Sequence, residues 1–214
     1  MGALVEWMGE LQGGALTLVS ATTTFVFGIF AIILGALFNS YLNRKRDNRL
    51  RELEALSTTA ALYGEILLLR PQVARIANLV ATAYFDEGFS PRPNVKFDEY
   101  LLERSVLSHP TIYLALSNKL GILKPDLILA ITKFHADCQE VRDWLPKLLP
   151  DEKRGYTYSV LHLLDPAYDA VMGVVPTLRK IENSLSIVAA DDPPMKKAIS
   201  ARRYEQQTWE NQGE

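Results

Sequence analysis

From Leu11 to Asn43 the chain carries no charged side chain. Inside that stretch an apolar run extends from Leu16 through Phe25-Val26-Phe27-Gly28-Ile29-Phe30-Ala31-Ile32-Ile33-Leu34 to Phe38. At 1.5 Å per residue, a helix over 16–38 is roughly 34 Å long, slightly more than the roughly 30 Å hydrocarbon core of a bilayer. A cleaved signal peptide would have a basic start and a shorter apolar core, whereas this start holds Glu6 and Glu10. A buried helix of a soluble protein rarely avoids charge for so long, and an interfacial helix would show a charged face. The segment reads as a transmembrane helix over 16–42, preceded by a short extracytoplasmic N-terminus, 1–15.

The flanks set an orientation. Arg44, Lys45, Arg46, Arg49 and Arg51 follow the span, while residues 1–15 hold no Lys or Arg. The positive-inside rule therefore puts the N-terminus outside and the remainder in the cytoplasm, and the basic cluster suits anionic headgroups as well. The single Cys138 agrees, since an exported domain of this size could use disulfides.

Placed at 100° per residue, Thr17, Ala21, Thr24, Gly28, Ala31 and Gly35 form one stripe of the span. Phe25, Val26, Ile29, Phe30, Ile33 and Leu37 surround it. Thr24-xxx-Gly28 and Ala31-xxx-Gly35 are small-xxx-small pairs, which let two helix backbones approach closely in lipid. The stripe predicts self-association. The same face continues as Leu53, Leu56 and Ala60.

The remaining chain, about 170 residues, is long enough for one domain with its own core. From Glu52 onward it holds 18 Lys plus Arg against 22 Asp plus Glu. That acidic balance argues against a nucleic-acid partner, which leaves a basic excess. The domain is read as a helical bundle over 43–190 with a basic juxtamembrane start, followed by a polar C-terminal helix or tail, 191–214.

Its apolar periodicity is helical throughout. Leu50, Leu53, Leu56, Ala60, Leu67 and Leu68 predict a helix continuing out of the membrane. Pro71 is expected to kink or restart it. Asp86 to Asn94 is rich in turn residues and predicts a loop. A short helix over 97–106 is followed by a fresh start near Pro110, with Gly121 as a left-handed cap after Leu120. Pro125 opens the next helix, whose inward face carries Leu127, Ile128, Ala130, Ile131, Phe134, Cys138, Val141 and Leu145. The short connection predicts a helical hairpin. A further helix is expected from about Tyr156 to Ala189, interrupted at Pro166, with Pro176 a second candidate for a break by the same argument. Strand signals are nearly absent. The fold class is all-α: one N-terminal transmembrane helix followed by a cytoplasmic antiparallel helical bundle.

The segment Pro110-Thr111-Ile112-Tyr113-Leu114-Ala115-Leu116, followed by Lys119-Leu120-Gly121-Ile122-Leu123 and Ala130-Ile131-Thr132-Lys133-Phe134-His135, resembles a group of bacterial single-span inner-membrane proteins with a cytoplasmic helical domain. The likeness covers roughly residues 15–145. It implies an inner-membrane location and brings no activity, so no functional residue is carried over from it.

Chemistry-bearing motifs are sparse. There is no P-loop, no Gly-x-Gly-x-x-Gly after a strand, no Gly-x-Ser-x-Gly and no His-Glu-x-x-His. His135-x-x-Cys138, with Asp137 and Glu140 beside it, places an imidazole and a thiol one turn apart, and His162-x-x-Asp165 does so for a carboxylate. Cys138 lies on the apolar stripe, however, where free cysteine behaves as a small hydrophobe. His109 stands apart. Asp98-Glu99 and Asp151-Glu152 read as first-turn acids, Asp191-Asp192 as a solvated loop. Tyr156, Tyr158 and Tyr168, with Asp165 and Asp169, read first as core and second as a pocket lining. No metal site, cofactor or catalytic residue is expected.

The expected function is non-enzymatic: a membrane-anchored helical scaffold or sensor that self-associates through Thr24, Gly28, Ala31 and Gly35 or binds a protein partner. Two alternatives remain open. One is a membrane-perturbing or pore-type oligomer with Thr17, Ser20 and Thr24 facing an axis. The other is an enzyme with a site in the bundle core.

Overall fold

The computed structural model describes residues 2–88, 97–150, 153–154 and 158–212, and the side chains of 21–86, 97–150, 153–154 and 158–211. Its elements are α1 (Gly2–Gly88), α2 (Glu99–Arg104), α3 (Thr111–Ala115), α4 (Pro125–Trp144), α5 (Leu161–Tyr168), α6 (Val175–Leu185) and α7 (Lys196–Gln212). Short 3₁₀ turns, Ser117–Ile122 and Leu145–Leu148, follow α3 and α4. No strand occurs among the described residues, in agreement with the helical periodicity.

The chain divides into two units, Met1–Leu53 and Glu54–Glu214. In the first, every described side chain is exposed, including Phe25, Phe27, Phe30, Ile32 and Leu37. An 18-residue window there has a mean hydropathy of 2.2 and no buried residue. By length and composition this helix is able to cross a membrane.

The second unit has one hydrophobic core. Leu62, Ile66, Leu69, Val73, Ile76, Ala77 and Val80 of α1 recur at three- and four-residue spacing and are all buried. Ile131, Phe134, Cys138 and Val141 of α4, Leu163, Leu164 and Ala167 of α5, and Leu178 and Ile181 of α6 complete the centre. α4 packs on α5, and α5 on α7. The polar C-terminal segment is thus a helix rather than a loose tail, because Ala198 and Ala201 bury its one apolar face.

Three local expectations are corrected. α1 does not restart at Pro71. Pro71 is exposed, so its ring points away from the core and the helix runs through it. Gly121 is not a left-handed cap: no glycine among the described residues has a positive φ, and the turn closes as 3₁₀ with Leu123 N–H on the Leu120 carbonyl at 3.0 Å. The only described residue with positive φ is Ser186 (φ 55°), which ends α6.

The expected helix over 156–189 is also different. Tyr156 lies outside the described residues. Pro166 sits within α5 without breaking it, and the interruption is a π-turn, Asp169–Gly173. Pro176 explains its position. It has no N–H to give to the carbonyls four and five residues before it, those of Met172 and Val171. The Val171 carbonyl accepts instead from Arg70 Nε at 2.7 Å.

Candidate functional site

Of the residues singled out by sequence, Thr24, Gly28, Ala31 and Gly35 are exposed in the first unit. Between Phe25, Ile29 and Ile32, the small side chains of Ala21, Thr24 and Gly28 leave an apolar notch along the helix. A Cβ added at Gly28 or Gly35 meets nothing within 4 Å. Arg44, Lys45, Arg46, Arg49 and Arg51 are exposed.

In the second unit, α1 leaves Leu56, Ser57, Ala60, Gly64 and Leu68 exposed. These recur along one side of the helix and carry no charge, so one uncharged stripe has no cover among the described residues. A Cβ at Gly64 also meets nothing within 4 Å.

His135 and Cys138 are both buried on α4, as the apolar stripe predicts for the cysteine. Burial raises the Cys138 thiol to about 12, which suits a packed hydrophobe rather than a thiolate ligand. His135 is stacked on Tyr113, ring centroids 4.0 Å apart, and meets Phe134 edge to face. His162 lies elsewhere, stacked on Trp144 at 4.3 Å. The structure therefore does not bring the two histidine motifs together. Among the described residues, no three His, Cys, Asp or Glu side chains gather around a point able to hold a metal ion.

A buried carboxylate that the sequence reading missed stands beside His135. Glu65 Oε1 and Oε2 accept the Ile112 and Tyr113 N–H groups at 2.7 and 2.8 Å. These are donors at the start of α3, which has no side-chain cap of its own. Oε2 is also 3.6 Å from His135 Nε2, while neither imidazole nitrogen has a hydrogen-bond partner. Burial lowers the imidazole to about 4. The neutral ring packs between Tyr113 and Phe134.

A second buried network ties α1 to α6. Glu182 accepts Tyr63 OH at 2.8 Å, the Ala190 N–H at 2.9 Å and Arg179 Nη1 at 2.8 Å. Burial opposes its charge, but these three donors outweigh it and hold the carboxyl below its ordinary range. The Tyr63 hydroxyl is raised to about 12 by burial, then by the bond to Glu182. Arg70 gives Nη2 to Asp192 at 2.6 Å. Asp192 is thus not simply part of a solvated loop, since it anchors the segment after α6 to a buried guanidinium.

The tyrosines divide. Tyr168 lies under the Arg202 guanidinium, whose Nε reaches Asp165. Asp169 joins Asp137 around Lys133. Tyr158 instead lines a cavity of about 240 Å³ with Tyr84, Phe97, Ser159, Glu205 and Trp209. There Glu205 accepts Tyr84 OH at 2.6 Å, Ser159 OH at 2.7 Å and Trp209 Nε1–H at 3.2 Å. Burial and the bond to Glu205 push the Tyr84 hydroxyl well up. Asp98 caps α2 through the Leu101 N–H at 2.9 Å, with Glu99 in the first turn. Asp151 and Glu152 lie outside the described residues.

No protein-family model matches the chain, and no curated protein or solved structure matches it either.

Proposed function

We propose that this protein is a membrane-anchored helical scaffold that self-associates through α1, with its N-terminus outside a bacterial inner membrane and its helical bundle on the cytoplasmic side. The observation that carries the reading is Gly28, Gly35 and Gly64, three of the glycines inside α1. Glycine in a helix interior costs about 1 kcal/mol relative to alanine. None of the three has the positive φ that would require it, and a Cβ at Gly28, Gly35 or Gly64 would meet nothing in its own chain. Close approach of a second helix supplies the missing reason, because a backbone without Cβ atoms lets another backbone pack against it. In lipid that packing is the main attraction, since the tails are as apolar as the side chains.

The basic cluster 44–51 supports the orientation, and the resemblance to bacterial single-span proteins supports the location. The sparse chemistry of the domain favours a binding role over catalysis. The two buried carboxylates, Glu65 and Glu182, each accept backbone N–H groups, which is how a scaffold uses buried polarity.

Replacing Gly28 and Gly35 together with Ile in the full chain is expected to lower a membrane two-hybrid signal roughly tenfold, the equivalent of about 1–2 kcal/mol of helix packing. Insertion and expression should be unchanged. An unaltered signal at equal expression would reduce the span to a plain anchor.

A further inference from the structure

We propose that the cavity walled by Tyr84, Phe97, Tyr158 and Trp209 binds a quaternary ammonium group, with Glu205 meeting its charge. The proposal rests on this cavity alone and is independent of self-association. Four aromatic rings and one carboxylate converge there. Every donor that holds Glu205 is neutral: two hydroxyls and an indole N–H. No ion pair to Glu205 occurs among the described residues, so its charge is oriented but not neutralised.

Those three donors are directed at Glu205, which leaves the cavity poor in groups for an anion. Aromatic faces attract cations through the ring quadrupole, and quaternary ammonium ions suit such walls because they need no hydrogen-bond acceptor. The Arg154 guanidinium already lies 5.0 Å from the centre of Tyr158 and engages that ring, so Tyr84, Phe97 and Trp209 are the walls that would receive the ammonium. At about 240 Å³ the space is below the roughly 300–1,000 Å³ of drug-sized sites. It suits a headgroup or small ion. Trp209 is 57% exposed, so one wall reaches solvent and provides an entrance. The ligand class is a trimethylammonium group, carried either by free choline or by a choline lipid.

Full-length protein in maltoside micelles, which carry no ammonium group, would be titrated with choline chloride at constant ionic strength. Binding would be read by saturation transfer to the N-methyl protons. The expected result is a saturable signal that weakens at least tenfold for 3,3-dimethylbutanol, a neutral molecule of the same shape. Glu205→Gln keeps one oxygen to accept from Ser159 and Trp209 and turns an amide N–H toward the Tyr84 hydroxyl, which can accept it, and should weaken choline at least tenfold. Trp209→Leu, at an exposed position, serves as a second variant with the same expected loss. Short-chain phosphatidylcholine below its micelle concentration distinguishes the sources. Competition at concentrations well below those of choline assigns the site to a lipid headgroup, and competition no better than choline assigns it to the free ion. No saturable signal, or equal binding of the neutral analogue, would overturn the proposal.

Discussion

Replacing Arg70 with Ala is expected to destabilise the domain by about 3–5 kcal/mol, from the cavity left by a large buried side chain together with a buried carbonyl left without its donor. Arg70 is 1% exposed and the largest fully buried side chain among the described residues. Its removal leaves the Val171 carbonyl without its donor at the π-turn and opens a cavity beside Ile66 and Val73. Lysine would not rescue it, because an ammonium lacks the planar fork that reaches Val171 and Asp192 at once. Asp192→Asn should cost far less, about 1 kcal/mol or below, since Asp192 is 44% exposed and can be hydrated. Near-ultraviolet dichroism of the full chain in micelles should show the Arg70→Ala melt roughly 10 °C lower. A shift under 2 °C would mean that the guanidinium does not support the turn.

The second large effect is acid sensitivity through His135. Burial lowers its folded-state value to about 4, while the unfolded imidazole titrates near 6.5. Between those values the unfolded chain binds more protons. Stability is therefore fully present above about pH 6.5 and falls as the pH drops toward 4. The shift corresponds to roughly 3 kcal/mol at most. About 2 kcal/mol is expected in practice, because Glu65 lies 3.6 Å from Nε2 and accepts part of the new charge. His135→Phe retains the stacking on Tyr113 and Phe134 and removes two unpartnered nitrogens. It should match or exceed the wild-type stability at pH 7 and lose this part of the acid slope. An unchanged slope in that variant would assign the sensitivity to other groups.

The all-helical class, the long uncharged stretch of α1, Cys138 in the core and the acidic pair Asp98-Glu99 at the start of α2 are legible from spacing and from the preference of acids for a helix's first turn, although Asp98 caps α2 rather than lying inside it. The buried charges are legible only in part. Arg70 shares the face of Ile66, Val73 and Ala77, and Glu65 that of Leu62, Leu69 and Ile76. A charge on an apolar stripe marks a buried polar contact. Their partners are not local: Val171, Asp192 and the Ile112 and Tyr113 N–H groups lie 47 or more positions away, beyond the reach of any helical period. The π-turn is hidden for the same reason, since Pro176 announces a break but not the side chain that satisfies the freed carbonyl. The cavity around Glu205 draws on α1, the segment before α5 and α7. Tyr158 is visible in the sequence as an aromatic, while its meeting with Trp209 and Tyr84 is a product of tertiary packing.

Self-association through the small-residue face of α1 is tested most directly by cysteine crosslinking in native membranes. Single cysteines would be placed at successive positions from Thr24 to Leu37, with Ala60 and Gly64 added. Cys138 stays out of the reaction because it is buried and its thiol is raised to about 12. The prediction is a disulfide dimer whose yield peaks at 24, 28, 31 and 35, falls at Val26, Phe30, Ile33 and Leu37, and rises again at 60 and 64. A yield that is flat along the helix, or no dimer at any position, would contradict it.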